Sequence, residues 1–284
     1  MSSTLQFHHL DADLLVVDKP AGLLAVPGRG EDKQDCLSAR VQQLHPDALV
    51  VHRLDMATSG LMLMARNPSA QRVLSLAFAE RRVHKRYVAV VHGLLAPPVI
   101  SESGPEGWGL IDLPIAVDWP NRPLRVINHA TGKPSQTRWR VDSQDTQAET
   151  TRLLLEPLTG RSHQLRVHLL ALGHPIVGDA LYCPSLHVES PSLRLFSPSL
   201  RVESPSLRAQ RGNPSLSTAE IDCRAALAMT NSPLAMTNSP LAMTDSPLAM
   251  REALKSRLML HASALSFDHP VTGVTLHFNS VVPF

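Results

Sequence analysis

No apolar run in the sequence approaches the ~20 residues a membrane-spanning helix needs. Met1 to Asp13 has neither basic residues nor a continuous apolar stretch, so neither a span nor a secretory signal is expected. Cysteine is scarce: Cys36, Cys183 and Cys223 stand singly, which argues against a disulfide framework and for a reducing cytoplasm. Charge of one sign is lacking too. Lys+Arg number 27 against 25 Asp+Glu, and a net charge of +2 permits a nucleic-acid partner without demanding one. The sequence holds no GxxxxGK[ST] loop, no GxGxxG after a strand and no GxSxG elbow, which removes the usual phosphate-cradling, dinucleotide and nucleophile-elbow chemistries. Histidine is plentiful at 14 residues, but none sits in HExxH or beside a CxxC pair. His163 and His168 would lie about 140° apart on a helix, so they are read as surface or hydrogen-bonding residues rather than metal ligands. A cofactor-independent activity, or none, remains.

What is present is a chain of 284 residues, 43% hydrophobic, long enough for a substantial core. Two tandem repeats interrupt it. From Pro184 to Leu207 a seven-residue unit of the type SPSLRVE recurs, and from Leu227 to Pro247 the unit LAMTNSP follows. A seven-residue period suggests a coiled coil, but a proline in every unit excludes one. Seven residues are also too few for a solenoid repeat. Residues 184–254 are therefore expected to be a disordered insertion, with extended partner binding as the lesser reading. Residues 1–183 and 255–284 then form one catalytic domain of about 213 residues.

Within that domain, strands are expected at Leu14–Val17, Leu61–Ala65, Val88–His92, Thr137–Val141, Arg152–Glu156, Leu258–Ala262 and Thr275–Asn279. Asn67 and Pro68 read as the cap and first residue of a helix that buries Val73, Leu74, Ala77 and Phe78. A second helix is expected from Ser162 to Leu172, stopped by Gly173. Strands outnumber helices without regular alternation, which points to an α+β class.

The segment Val51-His52-Arg53-Leu54-Asp55-Met56-Ala57-Thr58-Ser59-Gly60 places a carboxylate on a short polar loop. Alone, Asp55 would read as pairing with Arg53 or as capping a turn through Thr58 and Ser59. Its company changes that reading: VVDKPAGLLAVPG (Val16–Gly28), HKRYVAVVHG (His84–Gly93), TGRSHQLRVHLLALGHPIVGD (Thr159–Asp179) and LMLHA (Leu258–Ala262) occur in order around it. This set closely resembles the RluA family of pseudouridine synthases. Too few residues precede Val16 for the small S4 RNA-binding module of some relatives, so none is expected here.

The resemblance implies a pseudouridine-synthase fold, a mixed and mostly antiparallel sheet with a central active-site cleft. It also implies isomerisation of uridine in structured RNA, with base flipping and no cofactor or metal. Asp55 would be the catalytic carboxylate, acting either as a nucleophile at C1′ or as a base at C2′. Tyr87 would stack on the extruded base, and Arg166 would pair with Asp55. Arg53 would fill the space that the base vacates, and Arg81, Arg82, Lys85 and Arg86 form a basic cluster suited to phosphates. Arg122 and Lys133 lie in segments that match RNA-contacting loops, as does Arg125. The implied partners are 23S rRNA at uridine 746 and the tRNA anticodon stem-loop at uridine 32, met by a monomer with no membrane contact. A non-catalytic RNA-binding or chaperone protein that kept the fold is the alternative, and the repeats are the one feature that favours it.

Overall fold

The computed structural model describes residues 5–98, 107–183 and 257–284. The chain divides into two units, Met1–Leu193 with Ser246–Phe284, and Arg194–Asp245. The second unit, the whole repeat stretch 184–254 and Cys223 lie outside the described residues.

The described elements run β1 (Phe7–Leu10), β2 (Leu14–Lys19), α1 (Leu37–Leu44), β3 (Leu49–Val50), β4 (Ser59–Ala65), α2 (Pro68–Ala79), β5 (His84–His92) and β6 (Gly109–Asp112). They continue with β7 (Ile115–Val117), β8 (Arg125–Ile127), β9 (Gln136–Asp145), β10 (Thr150–Pro157), α3 (Gln164–Ala171), β11 (Leu260–Asp268) and β12 (Thr275–Asn279). One sheet takes the order β1-β2-β4-β11-β5-β10-β9-β6, with β12 beside β11 and β3 beside β4. Strands β7 and β8 make a separate hairpin. All ladders are antiparallel except the short β4–β11 pairing, in which His261 meets Ser59 and Ala262 meets Gly60. The α+β expectation and the mixed, mostly antiparallel sheet are what the structure has.

The apolar runs of β2 and β4 are continuous because both faces of the sheet are covered there. Leu14, Val16, Leu61 and Leu63 pack against Leu74 and Phe267 on the α2 side. Leu15, Val17, Met62 and Met64 pack against Leu37 and Val41 of α1 on the other. A third cluster, with Leu153, Leu155, Leu165 and Leu169, seats α3 on the β5–β10 half. Truncating any one of these fully buried leucines to alanine would cost about 2–5 kcal/mol.

Asn67 caps α2 as expected, its Oδ1 accepting from Ala70 N at 2.8 Å. The buried face is narrower than the sequence suggests: Ala70, Leu74 and Ala77 are buried, whereas Val73 is 40% exposed. Phe78 is only partly buried, because it leans off the stripe to stack on His52 with ring centroids 4.4 Å apart. Several boundaries also move: β5 starts at His84 rather than Val88, and β9 runs on to Asp145 rather than ending at Val141. Helix α3 starts at Gln164 rather than Ser162, since His163 adopts a left-handed backbone (φ 57°) that cannot continue a helix. Strand β11 starts at Leu260 rather than Leu258 and runs on to Asp268.

Candidate active site

Three anchors hold the loop that carries Asp55. Upstream, β3 pairs only with Ala65 and Met64 of β4, and His52 takes over where that ladder stops, its Nε2 accepting from Leu63 N at 3.0 Å. Burial draws the His52 pKa down to about 3, with Lys85 adding to it, so the ring stays a neutral acceptor. In the middle, the ammonium of Lys19, 1% exposed, donates to the carbonyls of Pro20, Leu23 and Met56 at 2.8, 2.8 and 3.0 Å. Burial draws its pKa down to about 7, while Asp55 pulls it back up. Downstream, Gly60 has φ 113°, and a Cβ there would lie 2.3 Å from the Ala262 carbonyl oxygen. Only glycine lets β11 approach β4 so closely beside the loop.

Asp55 thus lies half-buried on the wall of a cleft of about 510 Å³, in the range of small-ligand sites. Its carboxylate makes no hydrogen bond and no ion pair within 4.0 Å among the described residues. Tyr87, Arg166 and His163 line the same cleft. Burial first, and Asp55 second, push the Tyr87 hydroxyl well above its usual pKa of 10, so it stays protonated. Arg53, Arg81 and Lys85 line the cleft as well, with Arg53 and Arg81 exposed. Arg81 sits at φ 62°, in the left-handed region just after α2.

Arg166 departs from the expected pairing. Its guanidinium forks onto Asp179, not Asp55: Nε donates to Oδ2 at 2.7 Å and Nη2 to Oδ1 at 2.6 Å. The two side chains are 6% and 1% exposed. Asp179 wins because both of its oxygens face the fork squarely, a geometry that favours bidentate pairing. Asp55 still raises the Arg166 pKa through space, after the larger effects of burial and Asp179. Arg166 therefore places positive charge near Asp55 while remaining anchored elsewhere.

The basic cluster also divides. Arg81 and Lys85 are shared by the cleft and an adjoining groove of about 470 Å³ that adds Arg86, Arg138 and His277. Tyr87 and Lys85 lie on one face of β5 and Arg86 on the other, since strand side chains alternate. Arg86 is held by Glu156 at 2.7 Å. Arg82 pairs with Glu80 at 2.7 Å and lines neither cavity. Arg122 and Lys133 are exposed on and beside the β7–β8 hairpin and do not line the cleft.

Sequence reasoning gave no site role to Tyr182 or Asp179, and it read His163 only as a surface or hydrogen-bonding residue. Tyr182 accepts from Arg125 N at 3.0 Å and meets His163 Nδ1 at 2.7 Å. Burial lowers the His163 pKa, with Arg166 and Arg125 opposing charge on the ring and Asp55 favouring it. Asp179 accepts from Leu181 N and Tyr182 N at 3.0 and 3.1 Å, so one carboxylate positions both Arg166 and Tyr182. The turn needs Gly178 (φ 77°), where a Cβ would lie 1.8 Å from Arg257 O. Among the described residues, Asp11, Asp13 and His269 come within metal-binding reach of one another. None lines the cleft, and Asp11 is already bonded to His9, His269 and two backbone amides.

Residues 13–171 match the family model described as RNA pseudouridylate synthase. The dual-specificity RNA pseudouridine synthase RluA of Yersinia pestis is 49% identical over 172 residues, covering 61% of this chain and 79% of that protein. RluA of Escherichia coli K12 has the same identity over the same length, with 74% of its own chain covered. Among solved structures, human RNA pseudouridylate synthase domain containing 1 superposes with a TM-score of 0.60 at 24% identity, covering 99% of this chain and 84% of that one. That likeness bears on the fold alone. With the family model matched over residues 13–171 and 49% identity to these relatives, the chain belongs to the RNA pseudouridylate synthase family, is RluA-like within it, and is a pseudouridine synthase.

Proposed function

We propose that this chain isomerises uridine to pseudouridine in 23S rRNA at uridine 746 and in the tRNA anticodon loop at uridine 32. The observation that carries the reading is the Asp55 carboxylate, which has no hydrogen bond or ion pair among the described residues and shares with Tyr87 a cleft edged by Arg53, Arg81 and Lys85. The target uridine leaves its stack at a cost of a few kcal/mol, offset by cationic contacts to the RNA backbone. Arg53, exposed beside Asp55, fills the vacated space.

In the cleft the N1–C1′ bond breaks and the uracil leaves with its electron pair. Asp55 either attacks C1′ or removes a proton from C2′. The uracil turns over and C5 bonds to C1′, displacing the Asp55 oxygen in the first case or with Asp55 returning its proton to C2′ in the second. The C5 proton is then lost and N1 gains one, so the product is an isomer and nothing else is consumed. Tyr87, kept protonated by burial, stacks on the base and offers its hydroxyl to the moving proton. Arg166, held by Asp179, keeps positive charge near Asp55. Arg81, Lys85 and Arg86 contact phosphates, with Arg82, Arg122 and Lys133 contributing at the periphery.

The test is pseudouridine mapping on transcripts of the two stem-loops after incubation with the full chain. Conversion at both positions supports the reading. Conversion at one alone removes the dual substrate, and binding without conversion favours the non-catalytic alternative.

A further inference from the structure

Trp119 is 68% exposed. It is the one aromatic side chain among the described residues left so open, since Trp139 is 7% exposed and Trp108 is half-buried. A large apolar ring facing water forgoes the gain that burial normally brings, and the fold does nothing to hide this one. Instead the surroundings hold it rigidly. It sits in the turn of the β7–β8 hairpin, where Asp118 N donates to Leu124 O at 3.1 Å and Leu124 N to Asn121 O at 3.0 Å. Asp118 also accepts from the Asn121 backbone and side-chain amides at 3.2 and 3.0 Å. The Arg122 guanidinium carbon lies 3.4 Å from the indole ring centroid, a stacked cation that leaves the rest of the ring open.

The hairpin is tied to the cleft through one side chain. Arg125 N, at the base of β8, donates to the Tyr182 hydroxyl, which meets His163 on the cleft wall. Lys133 pairs with Ile115, at the end of β7 away from the turn, through both backbone groups, so the hairpin carries Arg122 and Arg125 at its turn and Lys133 at its other end. An open indole with a stacked guanidinium, on a cationic hairpin whose β8 is tied through Tyr182 to His163 of the cleft, fits a flat anionic partner. An unpaired nucleotide has that chemistry.

We infer that Trp119 is a stacking platform for an unpaired base in the loop that carries the target uridine, and that it decides which loops are accepted. The inference rests on the proposed action on RNA stem-loops. The test uses the full chain with Trp119→Ala and Trp119→Phe, on a stem-loop and on a series of the same RNA with one abasic position moved through the loop. Trp119→Ala should weaken binding of the intact RNA by roughly 5- to 150-fold, the range for losing one base–aromatic stack. The single-turnover rate at saturating RNA should change little, and Trp119→Phe should recover most of the affinity. At one abasic position, wild type should show the same loss and Trp119→Ala should add nothing to it. Unchanged affinity, or an equal further loss on every abasic RNA, would overturn the platform while leaving the synthase reading intact. A wild-type chain that neither binds nor converts any stem-loop would overturn both.

Discussion

Asp179→Asn is the perturbation for which the structure yields the clearest magnitude. The substitution keeps the volume and one acceptor oxygen, but it puts an NH2 group against the Arg166 donors that now sit 2.6 and 2.7 Å from carboxylate oxygens. Both side chains are shielded from water, at 6% and 1% exposure, so solvent cannot take over the guanidinium. Breaking one partner of such a buried pair costs about 3–5 kcal/mol. For a domain of this size that is a fall in Tm of about 6–20 °C. Activity should fall as well, because the same carboxylate caps the turn that aims Tyr182 at His163. Thermal melting and urea denaturation measure the first effect, and single-turnover conversion of a stem-loop measures the second. Replacing both partners, Arg166→Met with Asp179→Leu, should restore much of the stability without restoring turnover. A Tm within about 2 °C of wild type for Asp179→Asn, with normal turnover, would refute the reasoning.

Two further outcomes follow from the electrostatics. His52 is neutral in the fold with a pKa near 3 against 6.5 when unfolded, so below pH 6.5 only the unfolded chain takes up its proton. Stability should therefore drop by about 2 kcal/mol from this residue alone between pH 7 and pH 5, and go on falling toward pH 3. Urea midpoints across that range check it, and a pH slope identical in His52→Asn would contradict it. Arg81→Gln with Lys85→Gln should lower the salt dependence of RNA affinity, by roughly 0.7–0.9 in log–log slope per lost phosphate contact. Arg82→Gln should change it little, because Glu80 already holds that guanidinium. Equal effects from the two substitutions would mean that position along the sequence, rather than exposure on the cleft, decides the contact.

The parts of the fold that could be read from sequence are those whose local signal agrees with their tertiary setting. Asn67-Pro68 announced α2 because cap chemistry is local, and Leu61–Ala65 announced β4 because a strand covered on both faces must be apolar throughout. Helix α1 gave no such signal: its cap is Cys36, whose sulfur accepts from Ala39 N, and cysteine is not a residue that marks helix starts. Val73 was misplaced because periodicity gives the direction of a stripe but not its width, which the packing of Leu74 and Ala77 sets. At the site, the motif around Asp55 was legible, as were Tyr87 and Arg53. The partner of Arg166 was not, since Asp179 reaches it only through a turn that Gly178 makes available. The pairing of His163, read only as a surface or hydrogen-bonding residue, with Tyr182 was missed for the same reason. Their significance lies in a contact across nineteen residues that no single segment contains.

The most direct test of the account is Asp55→Asn, measured for turnover and for stability on the same preparation. The substitution changes the volume little and removes the charge and the nucleophilic oxygen, and no hydrogen bond or ion pair of the carboxylate is lost among the described residues. Turnover should fall below detection, whether Asp55 attacks C1′ or takes a proton from C2′. RNA affinity should hold, because phosphate contacts supply most of it. Tm should stay within about 2 °C of wild type, as expected for a side chain with no hydrogen bond or ion pair to lose among the described residues. Activity near that of the wild type, or lost stability with activity retained, would remove Asp55 from the chemistry and leave it a structural partner of the loop.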